Sequence, residues 1–135
     1  MRFAIFALVL LGCAFSGPSI ASPLPAEGTF IYSNACESEG GDFGNFRVTV
    51  KRNSRNIKAT VEFNDEGPDG KAPARDLKFN PVTGDLHFSY WGTENGARHE
   101  FNGKIRREKL QGQFDGDVET LPLLPWLPKA LPYCR

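Results

Sequence analysis

A charge excess of either sign is missing from this chain. Lys+Arg and Asp+Glu are both 16, so the formal net charge is zero. A typical nucleic-acid binder carries a basic excess, so none is expected as partner. Long apolar runs are scarce too. The longest, Phe3 to Ala14, falls short of the roughly 20 residues that span a bilayer as a helix, so no membrane span is expected. No window repeats apolar residues at i, i+3, i+4 and i+7 over a useful helical length. Methionine occurs once, against 14 Gly and 10 Pro, a composition of turns rather than helices. What is present is ordinary for a globular chain: hydrophobic residues at 40% and charged residues at 24% exclude wholesale disorder. A chain of 135 residues makes one domain.

Residues 1–21 read as a secretory signal peptide. Arg2 supplies the positive start, Phe3 to Ala14 the apolar middle, and Ser19-Ile20-Ala21 the small residues before a cut between Ala21 and Ser22. Residues 22–135 are then a single exported domain, secreted or periplasmic. A rival pattern, Leu10-Leu11-Gly12-Cys13, resembles a bacterial lipobox and would anchor the protein by a lipid on Cys13. Of the three cysteines, the cut removes Cys13 and leaves Cys36 and Cys134. An even pair in an oxidising compartment predicts a Cys36–Cys134 disulfide tying the start of the domain to its end.

After residue 27 the dominant signal is alternation of period two. Phe30 and Tyr32; Phe46, Val48 and Val50; Ile57, Ala59, Val61 and Phe63; Leu77 and Phe79; Leu86, Phe88 and Tyr90; Phe101 and Ile105; and Leu110 and Phe114 each line one side of a strand. Polar residues occupy the other side. Turn chemistry separates the strands at Asn53-Ser54, Asn80 to Asp85 and Thr93 to Gly96. A two-residue loop at Arg107-Glu108 sets Ile105 against Leu110, Gly103 against Gly112 and Phe101 against Phe114. The same reasoning sets Val50 against Ile57, Val48 against Ala59 and Phe46 against Val61. One buried face and short connections predict an all-β antiparallel meander of about 7–8 strands closing into a barrel, which removes exposed edges. Gly28-Thr29-Phe30 resembles the Gly-x-Trp opening of calycin-type barrels (lipocalins, avidins), with Phe in place of Trp. Over those three residues the resemblance implies the same barrel class.

Residues 120–135 form a Pro-punctuated apolar tail. Its prolines argue against a central strand. The tail is expected to pack on the barrel, with Leu123, Trp126 or Leu131 filling the gap left by Gly103 and Gly112.

Candidate chemistry is sparse. His87 is expected to point outward with Ser89 and Trp91, and His99 inward with Phe101. The two are therefore placed on opposite faces, and no catalytic set, metal site or cofactor is expected. The acidic loop Asn64 to Gly70 lacks the spacing of a calcium loop. Asp115, Asp117 and Glu119 alternate on one strand face. Arg47, Lys51, Arg52, Arg55 and Lys58 fall on the outer face and tip of one hairpin, and Trp91, Trp126 and Tyr133 supply aromatics. These are the candidate binding surface. The expected function is a monomeric exported β-barrel that binds a protein, as an inhibitor would, or a small apolar ligand. The alternatives are a small hydrolase with a loop-built site and a peripheral envelope protein.

Overall fold

The computed structural model describes residues 23–63, 71–92 and 96–135, so the signal-peptide reading, the acidic loop at 64–70 and residues 93–95 lie outside the described residues. The chain is all-β. Its strands are β1 (Gly28–Ser33), β2 (Cys36–Glu37), β3 (Phe43–Gly44), β4 (Phe46–Arg52), β5 (Ile57–Phe63), β6 (Lys71–Pro73), β7 (Arg75–Phe79), β8 (Asp85–Trp91), β9 (Arg98–Ile105), β10 (Lys109–Phe114) and β11 (Asp117–Leu124). Nine of them form one antiparallel sheet in the order β6-β5-β4-β1-β11-β10-β9-β8-β7, and β2 pairs with β3 apart from it. Strands consecutive in the chain pair within this sheet except β6 and β7, and β11 returns to β1, as in an up-and-down barrel.

The barrel is nearly closed. β6 and β7 are the sheet's two edges, yet only Ala74 separates them in the chain. They behave as one bent strand, its first half laddered to β5 and its second to β8. Ala74 N–H donates to Ala59 O, stitching the bend to β5 (2.9 Å). Asp76, at φ 52°, takes up the register shift between Arg75 and Lys78.

Alternation places the apolar side of each strand inside. Tyr32, Phe88, Tyr90, Phe101 and Phe114 fill the barrel and are almost wholly excluded from solvent, with Val48, Val50, Val61, Ile105 and Leu110 between them. Phe46 and Phe114 stack with ring centroids 4.1 Å apart, and Phe101 and Phe114 lie 4.7 Å apart.

The β9–β10 register is Ile105 against Leu110, Gly103 against Gly112 and Phe101 against Phe114, as the sequence predicts. The β4–β5 register is not the predicted one. Val50 faces Ala59, Val48 faces Val61 and Phe46 faces Phe63, a shift of two residues. Asn53 causes it: its Oδ1 accepts from the N–H groups of Arg55 and Asn56 (3.0 and 2.7 Å), and Asn53 N–H donates to Asn56 O, closing a longer loop than expected. An even shift keeps every side chain on its face, so the core is unchanged.

The tail departs further from expectation. Residues 117–124 are a strand, paired with β10 from Asp117 to Pro122 and with β1 at Leu123 and Leu124. Leu121 is fully buried and Leu123 packs against the core. Pro122 is tolerated because Leu123 N–H serves Glu108 O on the β10 side. With N–H directions alternating, the Pro122 nitrogen faces β1, where the ladder has already ended at Tyr32 and Leu123. Beyond Leu124 the tail does not plug the barrel: Trp126, Leu127 and Tyr133 are 73%, 55% and 75% exposed. The glycine gap is filled from within, by the Phe101 ring; a Cβ on Gly103 or Gly112 would stand 2.6 or 2.9 Å from it. The barrel's far opening is covered instead by the N-terminal segment. Leu24 is fully buried, and Arg52 Nη1 donates to the carbonyls of Leu24 (2.6 Å) and Pro25 (3.2 Å).

The predicted disulfide joins Cys36 to Cys134 (Cα–Cα 4.9 Å). It fastens the end of the tail beside β2: Glu37 N–H donates to Pro132 O and Cys134 N–H to Glu37 O. Gly44 is required there, since a Cβ would lie 2.8 Å from Cys134 Sγ and 3.1 Å from Cys36 Sγ.

Candidate functional site

The predicted basic hairpin divides on inspection. Arg47 is drawn into the wall: its Nη1 lies 3.5 Å from Glu62 Oε1, and its guanidinium stands 5.6 Å from the Phe43 ring centroid. Arg52 is not on the outer face. It shares the inward parity of Val48 and Val50, caps the Leu24 and Pro25 carbonyls and lies over the Phe79 ring at 5.1 Å. Lys51, Arg55 and Lys58 remain exposed and make no ion pair among the described residues. Lys51 stands directly opposite Lys58 in the β4–β5 ladder.

The aromatics do not converge. Trp91 is half-buried on β8, its ring covered by the guanidiniums of Arg75 and Arg98 (5.2 and 5.8 Å) rather than by the tail. Arg98 Nη2 also donates to Ser89 Oγ (2.9 Å), which buries that outward hydroxyl, and pairs with Glu100 (2.7 Å). Trp126 and Tyr133 lie on the tail, exposed, and make no ring contact with Trp91 among the described residues.

The histidines occupy opposite faces. His87 Nδ1 is 2.6 Å from Asn102 Oδ1 on the outer wall. His99 turns inward at the mouth, between the rings of Phe63 and Tyr90. Its Nδ1 lies 2.5 Å from Asp115 Oδ2, and Asp115 Oδ1 accepts from Glu100 N–H (2.8 Å). The alternation that places Asp115 on a strand face hides this Asp–His pair. Asp115 is a turn residue at φ 49°, followed by Gly116 at φ 95°. The Asp-Gly dipeptide between two apolar-patterned runs was the available signal. His99 faces rings, and Ser89 points to the other side of the sheet, so no nucleophile stands beside it among the described residues. Asn34 Nδ2 donates to Glu119 Oε2 (2.7 Å), committing that carboxylate to structure.

Two open grooves lie on the outer wall. One, of about 430 Å³, runs along Lys78, Asn80, His87 and Asn102; the other, of about 350 Å³, along Arg98, Glu100, Gln113 and Asp115. Asp85, at the first, is held below the usual carboxylate range by hydrogen bonds from Lys104 and Thr83. Among the described residues there is no group of three or more His, Cys, Asp or Glu placed to hold a metal ion. No described helix is long and apolar enough to cross a membrane. No protein family, no curated protein and no solved structure matches the chain.

Proposed function

We propose that this is an exported β-barrel binding protein that recognises another protein through its surface, with the segment Pro125 to Tyr133 as the contact. The observation that carries the reading is the exposure of this apolar segment together with its restraint at both ends. Among the described residues, Trp126, Leu127 and Tyr133 are three of the five exposed large hydrophobics. The segment leaves β11 at Leu124 and is caught again at Cys134 by the disulfide and the Glu37–Tyr133 bridge. Prolines 125, 128 and 132 restrict it further. Such a segment gives up little conformational freedom on docking, and exposed Trp and Tyr are the side chains that carry most binding energy in interfaces. A small apolar ligand inside the barrel is disfavoured, because aromatic rings occupy the interior. Export is supported by the disulfide and by the leader-like residues 1–21.

The test is a pull-down from the native extracellular or periplasmic fraction. It would compare the natural protein with W126A/L127A, followed by calorimetry on any purified pair. A partner bound by the natural protein and weakened at least tenfold by the double variant, at unchanged melting temperature, supports the reading. Equal binding by both removes the tail from the interface.

A further inference from the structure

The neutral chain is electrically lopsided, which the sequence alone does not reveal because the two signs interleave along it. The meander alternates direction, so every second connection falls at the same rim of the barrel. The disulfide rim, with the 34–45 segment and the Asp115-Gly116 turn, gathers Glu37, Glu39, Asp42, Asp115, Asp117 and Glu119. The opposite rim, with the connections at 53–56, 80–84 and 106–108, gathers Lys51, Arg55, Lys58, Arg106, Arg107 and Lys109, against Glu27, Glu108 and an Asp85 already paired with Lys104, so cations are in excess there. None of these six cations makes an ion pair among the described residues; five are exposed and Lys109 is half-buried. Lys51 directly across from Lys58 is a like-charge pair of the kind that destabilises a ladder.

We infer that the cation-rich rim is a docking surface for an anionic phospholipid bilayer, on which the barrel stands with its acidic rim away from the lipid. The charge is spread over separate connections around a barrel end, which suits a broad anionic plane better than a linear polyanion. The two grooves, which would suit a chain, lie on the wall and carry Asp85, Glu100 and Asp115. Val82, at the tip of the connection between β7 and β8, is 65% exposed on the same rim and gives an apolar contact at the headgroup boundary. An end-to-end charge separation orients the molecule on approach even though its net charge is zero. The contact is peripheral, and it is independent of the protein-binding segment proposed above.

The experiment is co-sedimentation of the exported protein, disulfide intact, with phosphatidylcholine vesicles and with the same vesicles carrying phosphatidylglycerol. Binding is expected only to the second and should disappear in high salt, where exposed charges are screened. Neutralising a cation at an anionic membrane surface lowers partitioning about fivefold, so R55Q/K58Q/R107Q should lower it on the order of a hundredfold. The acidic-rim variant E39Q/D42N should bind as the natural protein does. Equal binding to neutral vesicles, retention by the triple variant, or loss in the acidic-rim variant would overturn the assignment. So would capture by soluble polyphosphate without vesicle binding. Should the triple variant fold poorly, R55Q and R107Q alone and the salt titration of the natural protein decide.

Discussion

Gly103 stands directly across from Gly112 in the β9–β10 ladder, and the ring of Phe101 lies over both. The neighbours are backbone as well as ring: a Cβ on Gly103 would meet Gln111 O at 2.4 Å, and one on Gly112 would meet Asn102 O at the same distance. Flexible side chains cannot relieve that. G103A and G112A should each cost about 1–3 kcal/mol or more, as overpacking does. Urea unfolding with an unchanged m-value checks it; a variant as stable as the natural protein would mean that Phe101 is not seated there.

Leu24 is the barrel's stopper at the cationic rim, fully buried although it lies outside every strand. L24A should cost about 2–5 kcal/mol. R52M, which leaves the Leu24 and Pro25 carbonyls without that guanidinium, should cost less but loosen the same segment. Hydrogen exchange would show faster exchange at the start of β1 in both variants.

Removing the disulfide with C36S/C134S should cost about 2–5 kcal/mol, since the bridge spans a sequence separation of 98. G44A should hinder its formation, because the added carbon would occupy space held by both sulfurs. Counting free thiols under non-reducing conditions distinguishes the two effects.

Tyr32 sets an alkaline limit. It is fully buried, and its hydroxyl donates to Arg106 O (2.8 Å). Burial, with the Glu108 charge adding to it, raises its pKa above the ordinary 10.0. Above pH 10 the unfolded phenol ionises while the folded one stays neutral. The stability tied to Tyr32 is therefore complete below pH 10 and is lost as pH climbs past it. Unfolding free energy measured from pH 8 upward should fall beyond 10, and Y32F should flatten that fall.

Much of the barrel was legible in the sequence because parity survives small errors. Placing Val48 and Val50 inside needed only the alternation, and the two-residue slip at Asn53 left them inside. The β9–β10 register was legible because two glycines and two apolar pairs agree on one alignment only. The second half of β11, from Thr120, reads as tail because Pro122 argues against a strand unless it is known that the β1 ladder ends beside it. That is a fact about a distant strand, which no local pattern carries. The basic patch was half legible. Composition placed five cations together, but only the folded neighbours show that Glu62 and Phe43 engage Arg47 and that Leu24 and Pro25 claim Arg52.

The ladder between β1 and β11 holds only the pairs Ile31–Leu124 and Tyr32–Leu123. Seen this way, the molecule is two curved plates, β6-β5-β4-β1 and β11-β10-β9-β8-β7, meeting along two seams. One seam is the shared bent strand around Ala74. The other is this short ladder, and Cys36 follows one of its strands as Cys134 follows the other. The disulfide is therefore a rivet through the narrower seam. Reducing it would leave that seam to its two ladder pairs, the Asn34–Glu119 hydrogen bond and the Phe46–Phe114 stack, so the covalent link carries most where the ladder carries least.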